Sequence, residues 1–261
     1  MRQFVRSTMN NNHVRGSALV IKNGTTQQIS YGYGWYGKRI GNGNSKIVYP
    51  ICSLQKVITG AMIVQLINES HRTKQHISQY TKISRWYPNL VNANKITIGN
   101  LLTHTSGIRA TGTEINRGKN YSEADAIQWA INNANSSPFA DVGTYYYNNT
   151  NYVLLAGIIR AVTGKSYEEN FKERIVNKLG LSNTYLYQNI PKSKTDPISY
   201  YSDGSKNYTK ASYVKRSLAS QIPGAGNLFS IPREYYKIQL GLSNGQILSN
   251  SDFHYLTHLK T

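Results

Sequence analysis

Acidic residues are scarce in this chain: twelve Asp and Glu stand against thirty Lys and Arg in 261 residues, a formal net charge of +18. The balance predicts attraction to polyanions such as nucleic acid, anionic lipid or wall polymers, and by itself it says nothing of chemistry. Charge of either sign is sparse, at 16% of residues, so the polar groups are mostly the hydroxyls and amides of Tyr, Asn, Ser and Thr. A single cysteine, Cys52, excludes an internal disulfide. It lies in an apolar stretch, where the expectation is a small buried side chain and not a nucleophile. Met1 to Arg15 is polar and basic and lacks the apolar run of a signal peptide or membrane helix. No transmembrane segment is expected in this chain, so either the protein stays inside or an export segment is missing. There is no internal repeat and no low-complexity tract.

What is present suffices for a core: 39% of residues are hydrophobic, enough for one large domain or two interleaved lobes. Asn23-Gly24 between Ser17–Lys22 and Gln27–Tyr33 predicts a hairpin, because that dipeptide supplies the positive-φ pair of a tight primed turn. Gly32 to Gly37 satisfies a G-x-G-x-x-G pattern but runs into Lys38 and Arg39 instead of a helix, without the context of a phosphate cradle. From Ser53 the apolar residues Leu54, Val57, Ile58, Ala61, Met62 and Leu66 recur at three- and four-residue steps, predicting a helix buried along one face. Further helices are expected near Ile98–Leu102, Glu123–Asn132, Thr150–Val162 and Tyr167–Leu179, the last two stopped by Gly164 and Gly180. Ile190 to Lys215 reads as loop, Ala225 to Phe229 as a short extended piece and Arg233 to Leu240 as a helix.

Ser53 and Lys56 form Ser-x-x-Lys at the start of the apolar helix, a spacing that sets both side chains on one face about a turn apart. The lysine can then take the serine proton, provided its ammonium is brought to lose charge near neutral pH. The helix N-terminus favours negative charge developing beside Ser53 by on the order of 0.3 to 1 kcal/mol. Alone, the pattern also describes an N-cap serine followed by a solvated lysine. It gains weight from Tyr147-Asn148-Asn149 just ahead of a helix start. A phenol near Lys56 could shuttle a proton to a leaving group, and Asn149 could hold both the lysine and a substrate carbonyl. The competing reading of Tyr147 is one more packed tyrosine in a run of three.

Four segments then occur in order: Tyr49-Pro-Ile-Cys-Ser-Leu-Gln-Lys56, Leu101-Leu-Thr-His-Thr-Ser-Gly107, Tyr147-Asn-Asn-Thr-Asn-Tyr152 and Ala225-Gly-Asn-Leu-Phe-Ser230. In order and spacing the chain resembles the β-lactamase-related serine hydrolases, akin to class C β-lactamases, D-alanyl-D-alanine carboxypeptidases and penicillin-binding proteins, from about Val14 to Leu259. The resemblance implies an α/β (α+β) fold of the β-lactamase/transpeptidase type, an antiparallel sheet flanked by helices plus a mostly helical lobe. The lobes are expected at about 1–67 with 216–261, and 68–215. It further implies Ser53 as the acylated nucleophile, Lys56 and Tyr147 as the proton-transfer pair, with Tyr147 and not Tyr145 or Tyr146 in register, and Asn149 as substrate-binding. No cofactor and no metal are implied, and His104 is expected to be structural.

The family's third motif, a Lys- or His-Thr-Gly tripeptide on a sheet strand, is not found. Lys260-Thr261 comes too soon after Ala225–Ser230 to be its start. In the family that strand supplies an oxyanion donor, whose loss typically costs ~10² to 10³ in rate. The expectation is therefore a truncated chain lacking C-terminal sheet strands. Two functions follow from the resemblance. One is a hydrolase cleaving an ester, amide or β-lactam through a Ser53 acyl-enzyme, with D-alanyl groups of cell-wall polymers as a substrate and an extracellular or cell-surface location. The other is an inactive relative that binds wall polymer without turnover. The Lys- and Tyr-rich stretch from Lys192 to Arg216 raises nucleic-acid binding, but no recognised motif accompanies it, and no nucleic-acid partner is expected.

Overall fold

The computed structural model describes every residue except 113–117, 204, 205, 213–215 and 261. Asn23 and Gly24 turn the chain as their sequence predicts, with φ of 49° and 74°. The turn pairs β1 (Gly16–Lys22) antiparallel with β2 (Thr25–Tyr31), Lys22 facing Thr25. Ahead of the hairpin the basic N-terminal stretch is helical, α1 (Arg2–Asn11). The glycine pattern after it forms β3 (Tyr33–Trp35) and a turn into β4 (Ile40–Gly41), with no helix to make a phosphate cradle.

Beyond these come β5 (Tyr49–Pro50), β6 (Tyr185–Leu186), and an antiparallel hairpin of β7 (Ser199–Asp203) and β8 (Lys206–Ser212). The last strand, β9 (Leu228–Ser230), lies between β5 and β6 in a three-stranded antiparallel sheet. Residues Met1–Pro50, Ser182–Lys215 and Leu228–Lys237 form one compact unit. Its core gathers Val48, Ile190 and Phe229, with Tyr185, Tyr187 and Ile231 packed on them. The β7–β8 hairpin corrects the expectation of loop from Ile190 to Lys215. Tyr208 stacks on Tyr36 with ring centroids 4.6 Å apart, and its Oη accepts from Tyr33 N–H at 2.8 Å. Tyr208 takes a left-handed φ of 65°, and the aromatic it packs on lies some 170 positions away in sequence, so nothing local announced it. Packing thereby engages Tyr208, one of the aromatics that suggested base stacking.

The second unit comprises Ile51–Leu181, Arg216–Asn227 and Ile238–Thr261. Residues 51–67 thus lie with the helices and residues 182–215 with the strands. A 3-10 turn (Cys52–Leu54) leads into α2 (Gln55–Ser70), followed by α3 (Ile98–Leu102), α4 (Glu123–Asn135) and α5 (Asn149–Thr163). After α6 (Tyr167–Phe171) a π-helical stretch, Lys172–Val176, interrupts the predicted single helix before α7 (Asn177–Leu179). Then come α8 (Arg216–Gln221) and, after α9 (Pro232–Ser243), which belongs to the first unit up to Lys237 and to this one from Ile238, α10 (Asn250–Thr257). Gly164 and Gly180 end α5 and α7 at φ of 68° and 59°, the left-handed caps expected of them.

Burial of α2 is wider than one face. Ile58, Ala61, Met62, Ile63 and Val64 are all 1% exposed or less, and α5 and α10 pack against the helix. Each fully buried Ile, Val or Met contributes about 1.5–3 kcal/mol. Among the described residues no helix is long and apolar enough to cross a membrane.

Candidate active site

Ser53 is the middle residue of the 3-10 turn that feeds α2, and Lys56 stands one turn further along. Their surroundings differ sharply: Ser53 is exposed, whereas Lys56 is 7% exposed. Lys56 Nζ reaches three oxygens, Ser53 Oγ at 3.0 Å, Asn149 Oδ1 at 2.8 Å and Ala225 O at 2.9 Å. The half-exposed Tyr147 brings its phenol to Ser53 from the other side, donating to Oγ at 2.6 Å. Asn149 is the first residue of α5, and Asn148 caps that helix by accepting from Thr150 N–H at 2.9 Å. The structure therefore brings Ser53, Lys56, Tyr147 and Asn149 into one hydrogen-bonded chain.

The donor count at Lys56 carries a chemical consequence. Asn149 Oδ1 and Ala225 O can only accept, whereas Ser53 Oγ can accept or donate. As an ammonium, Lys56 spends all three protons on these partners. As an amine it keeps two N–H bonds to the obligate acceptors and turns its lone pair to the Ser53 hydroxyl. The same positions thus suit both protonation states of a base, with no rearrangement between them.

Sequence reading passed over the residues that hold Ala225 in place. Gln55, fully buried, accepts from Asn227 N–H at 2.6 Å and donates to Asn227 Oδ1 at 2.8 Å. Thr59 donates to Gly224 O at 2.6 Å and shares a hydrogen bond with Tyr167 Oη at 2.8 Å. Burial pushes the Tyr167 phenol up to about 12, bonds from Thr59 and Gln55 offsetting part of the rise, so it stays protonated. Gly224 has φ of 73°, and a Cβ there would come within 2.9 Å of Ala156 Cβ. Gln55 and Asn227 were legible only as a buried amide inside Ser53–Lys56 and an amide inside Ala225–Ser230.

Cys52 departs from its expected burial. It is exposed, and its φ of 47° is unusual for a residue bearing a Cβ. The sharp entry into α2 needs that conformation just before Ser53, which turns the thiol out of the core. His104 is buried beside Tyr147, with ring centroids 4.4 Å apart. Burial, and then the charge of Lys56, bring its pKa down to about 4.

A family model described as Beta-lactamase matches residues 1–259. The chain belongs to the beta-lactamase family. Among curated proteins, a teichoic acid D-alanine hydrolase of Staphylococcus aureus is 31% identical over 225 residues, 85% of this chain and 53% of that protein. The chain thus spans about half the length of the curated relatives it matches. Solved structures place the same fold around it. D-amino acid amidase from Ochrobactrum anthropi SV3 aligns over 97% of this chain and 72% of its own, at TM-score 0.79 and 21% identity. FmtA from Staphylococcus aureus aligns over 98% and 69%, at TM-score 0.78 and 24% identity. The fold is that of the beta-lactamase and transpeptidase group, as the four segments implied.

Proposed function

We propose that this beta-lactamase family chain is a serine hydrolase that forms an acyl-enzyme on Ser53. The observation that carries the reading is the convergence on one exposed hydroxyl of a buried amine at 3.0 Å and a phenol at 2.6 Å. In the proposed cycle the Lys56 amine accepts the Ser53 proton as Oγ bonds to the substrate carbonyl carbon. Tyr147 gives its phenolic proton to the departing oxygen or nitrogen and recovers one from Lys56. The acyl-enzyme ester is then cleaved by water, whose proton returns through the same pair and whose oxygen stays with the released acid. Asn149 orients Lys56 and lies where its amide can meet a substrate carbonyl. Negative charge developing at the acyl oxygen falls near the N-terminal end of α2, which favours it.

The substrate we infer is a D-alanyl ester carried on an anionic wall polymer, placing the work at the cell surface. The curated relatives named as teichoic acid D-alanine hydrolases support this choice. So does the distribution of charge: no Asp or Glu precedes Glu69, while Lys and Arg occur eight times in that stretch. In the strand-bearing unit an open groove is lined by Arg2, Gln3, Arg6, Ser7, Asn10 and Tyr31, with no carboxylate among them. Arg2 and Arg6 sit four residues apart on one helix, where like charges repel by ~0.2–0.5 kcal/mol, a cost that a bound phosphodiester would relieve.

The test is release of D-alanine from a D-alanylated polyol-phosphate polymer by the wild-type chain beside Ser53→Ala. Release that needs Ser53 and weakens steeply with salt supports both parts of the reading. Release of D-alanine from a small neutral ester but not from the polymer would remove the polymer and keep the hydrolase. No release from either, by folded protein, would contradict both.

A further inference from the structure

Tyr147 owes its position to no helix or strand. It lies in an extended segment ahead of α5, nearly half exposed, yet its phenol must stay within hydrogen-bond reach of Ser53. Misplacement of a reacting group by about 1 Å can cost ~10²-fold in rate, so something must hold this residue. The groups that do so converge on His104.

His104 grips the residue on each side of Tyr147. Its carbonyl oxygen accepts from Tyr146 N–H at 2.8 Å, and its ring Nδ1 accepts from Asn148 N–H at 3.3 Å. The imidazole also faces the Tyr147 ring at 4.4 Å between centroids, tilted 35°. His104 is itself fixed. It follows α3, whose first turn is closed by a capping box between Thr97 and Asn100, and it takes a left-handed φ of 58°. Asn151 Nδ2 lies 3.0 Å from the same Nδ1, and Asn151 Oδ1 accepts from the buried Ser106 hydroxyl at 2.6 Å. Asn148 N–H can only donate, so Nδ1 holds its lone pair and the ring proton sits on Nε2, and the Asn151 amide turns its Nδ2 to the same acceptor.

We propose that His104 is a positioning residue for Tyr147, with its neutral Nδ1 as the acceptor that registers the Tyr146–Asn148 segment against Ser53. The inference rests on the acyl-enzyme reading for its kinetic consequence and on the geometry alone for the positioning. The two functions separate in simple substitutions. Asparagine can accept where Nδ1 does but has no ring to face the phenol; phenylalanine supplies the ring and leaves two buried N–H donors unmet.

The experiment is a double-mutant cycle on the rate of Ser53 acylation by a fluorophosphonate, with His104→Asn, Tyr147→Phe and the pair. His104→Asn is expected to slow acylation about 10²-fold or less, and to cost almost nothing further once the Tyr147 hydroxyl is gone. His104→Phe should lose more than His104→Asn, since it strands both donors. Additive losses across the cycle, or an unchanged rate in His104→Asn, would overturn the proposal. If the wild type takes no label, the acyl-enzyme reading has failed instead, and a second measurement still decides this one. The ¹³Cζ signal of labelled Tyr147, assigned through Tyr147→Phe, should be single in the wild type and shifted or broadened in His104→Ala. An identical signal in the two proteins would overturn the positioning role.

Discussion

Gln55 and Asn227 hold each other by a reciprocal pair of hydrogen bonds, Asn227 N–H to Gln55 Oε1 at 2.6 Å and Gln55 Nε2 to Asn227 Oδ1 at 2.8 Å. Because Gln55 lies between Ser53 and Lys56, the pair ties the Gly224–Asn227 segment to the turn that presents the serine. Ala225 O is thereby kept where Lys56 needs an acceptor. Gln55→Leu would leave two buried polar groups of Asn227 unpaired, an expected loss of roughly 2–4 kcal/mol. Gln55→Glu should lose less, because it keeps the acceptor for Asn227 N–H. Chemical denaturation of both variants checks the order, and equal stability of all three proteins would contradict it.

Tyr147→Phe removes the phenol but little buried contact. Its stability should stay within about 0.5 kcal/mol of wild type, while acylation of Ser53 falls by ~10² or more, as for loss of a general acid or base. Lys56→Met should abolish acylation and also destabilise the chain, since Asn149 Oδ1 and Ala225 O lose their donor. Comparing thermal midpoints with labelling rates separates the two; a Tyr147→Phe protein acylated at the wild-type rate would take Tyr147 out of the mechanism.

Acidification should destabilise the fold in two windows. The folded-state pKa of His104 is about 4 against an ordinary 6.5, so between those values the unfolded chain binds a proton that the folded chain does not. Stability therefore rises with pH across that window, by up to on the order of 3 kcal/mol, and is fully present above it. His104→Asn should flatten this dependence. The 5%-exposed Glu234 acts lower. Burial pushes its carboxyl up, but bonds from Thr184, Ser182 and Asn183 outweigh burial and hold it below its ordinary value. Its contribution is present above the ordinary carboxylate range and is lost as pH falls through the folded value. Unfolding free energy measured from pH 3 to pH 7, with Glu234→Gln beside wild type, checks both signs.

Cys52 is exposed immediately before Ser53. Alkylation of this thiol by a bulky maleimide should block labelling of Ser53, whereas a Cys52→Ala protein treated with the same maleimide should label normally. Equal labelling of maleimide-treated wild type and Cys52→Ala would show that the thiol does not overlook the serine.

Local chemistry made much of this legible in the sequence. Asn23-Gly24, Gly164 and Gly180 require backbone conformations that their residue types supply, and the apolar steps after Ser53 announced α2. The order of four segments then implied the fold and family that the comparisons bear out. What escaped was non-local. The β7–β8 hairpin packs Tyr208 on the distant Tyr36, the all-round burial of α2 comes with packing by α5 and α10, and the Gln55–Asn227 pair joins residues 172 positions apart. Cys52 escaped for another reason: its surroundings in sequence are apolar, but the turn into α2 sends its side chain outward.

Every step proposed at this site depends on Ser53 being an activated nucleophile. The most direct measurement is intact mass of the chain after incubation with a fluorescent penicillin and, separately, with a fluorophosphonate, beside Ser53→Ala. An activated Ser53 gives one covalent adduct per chain with at least one of the probes, absent from Ser53→Ala. Folded wild-type protein that takes up neither probe would contradict it.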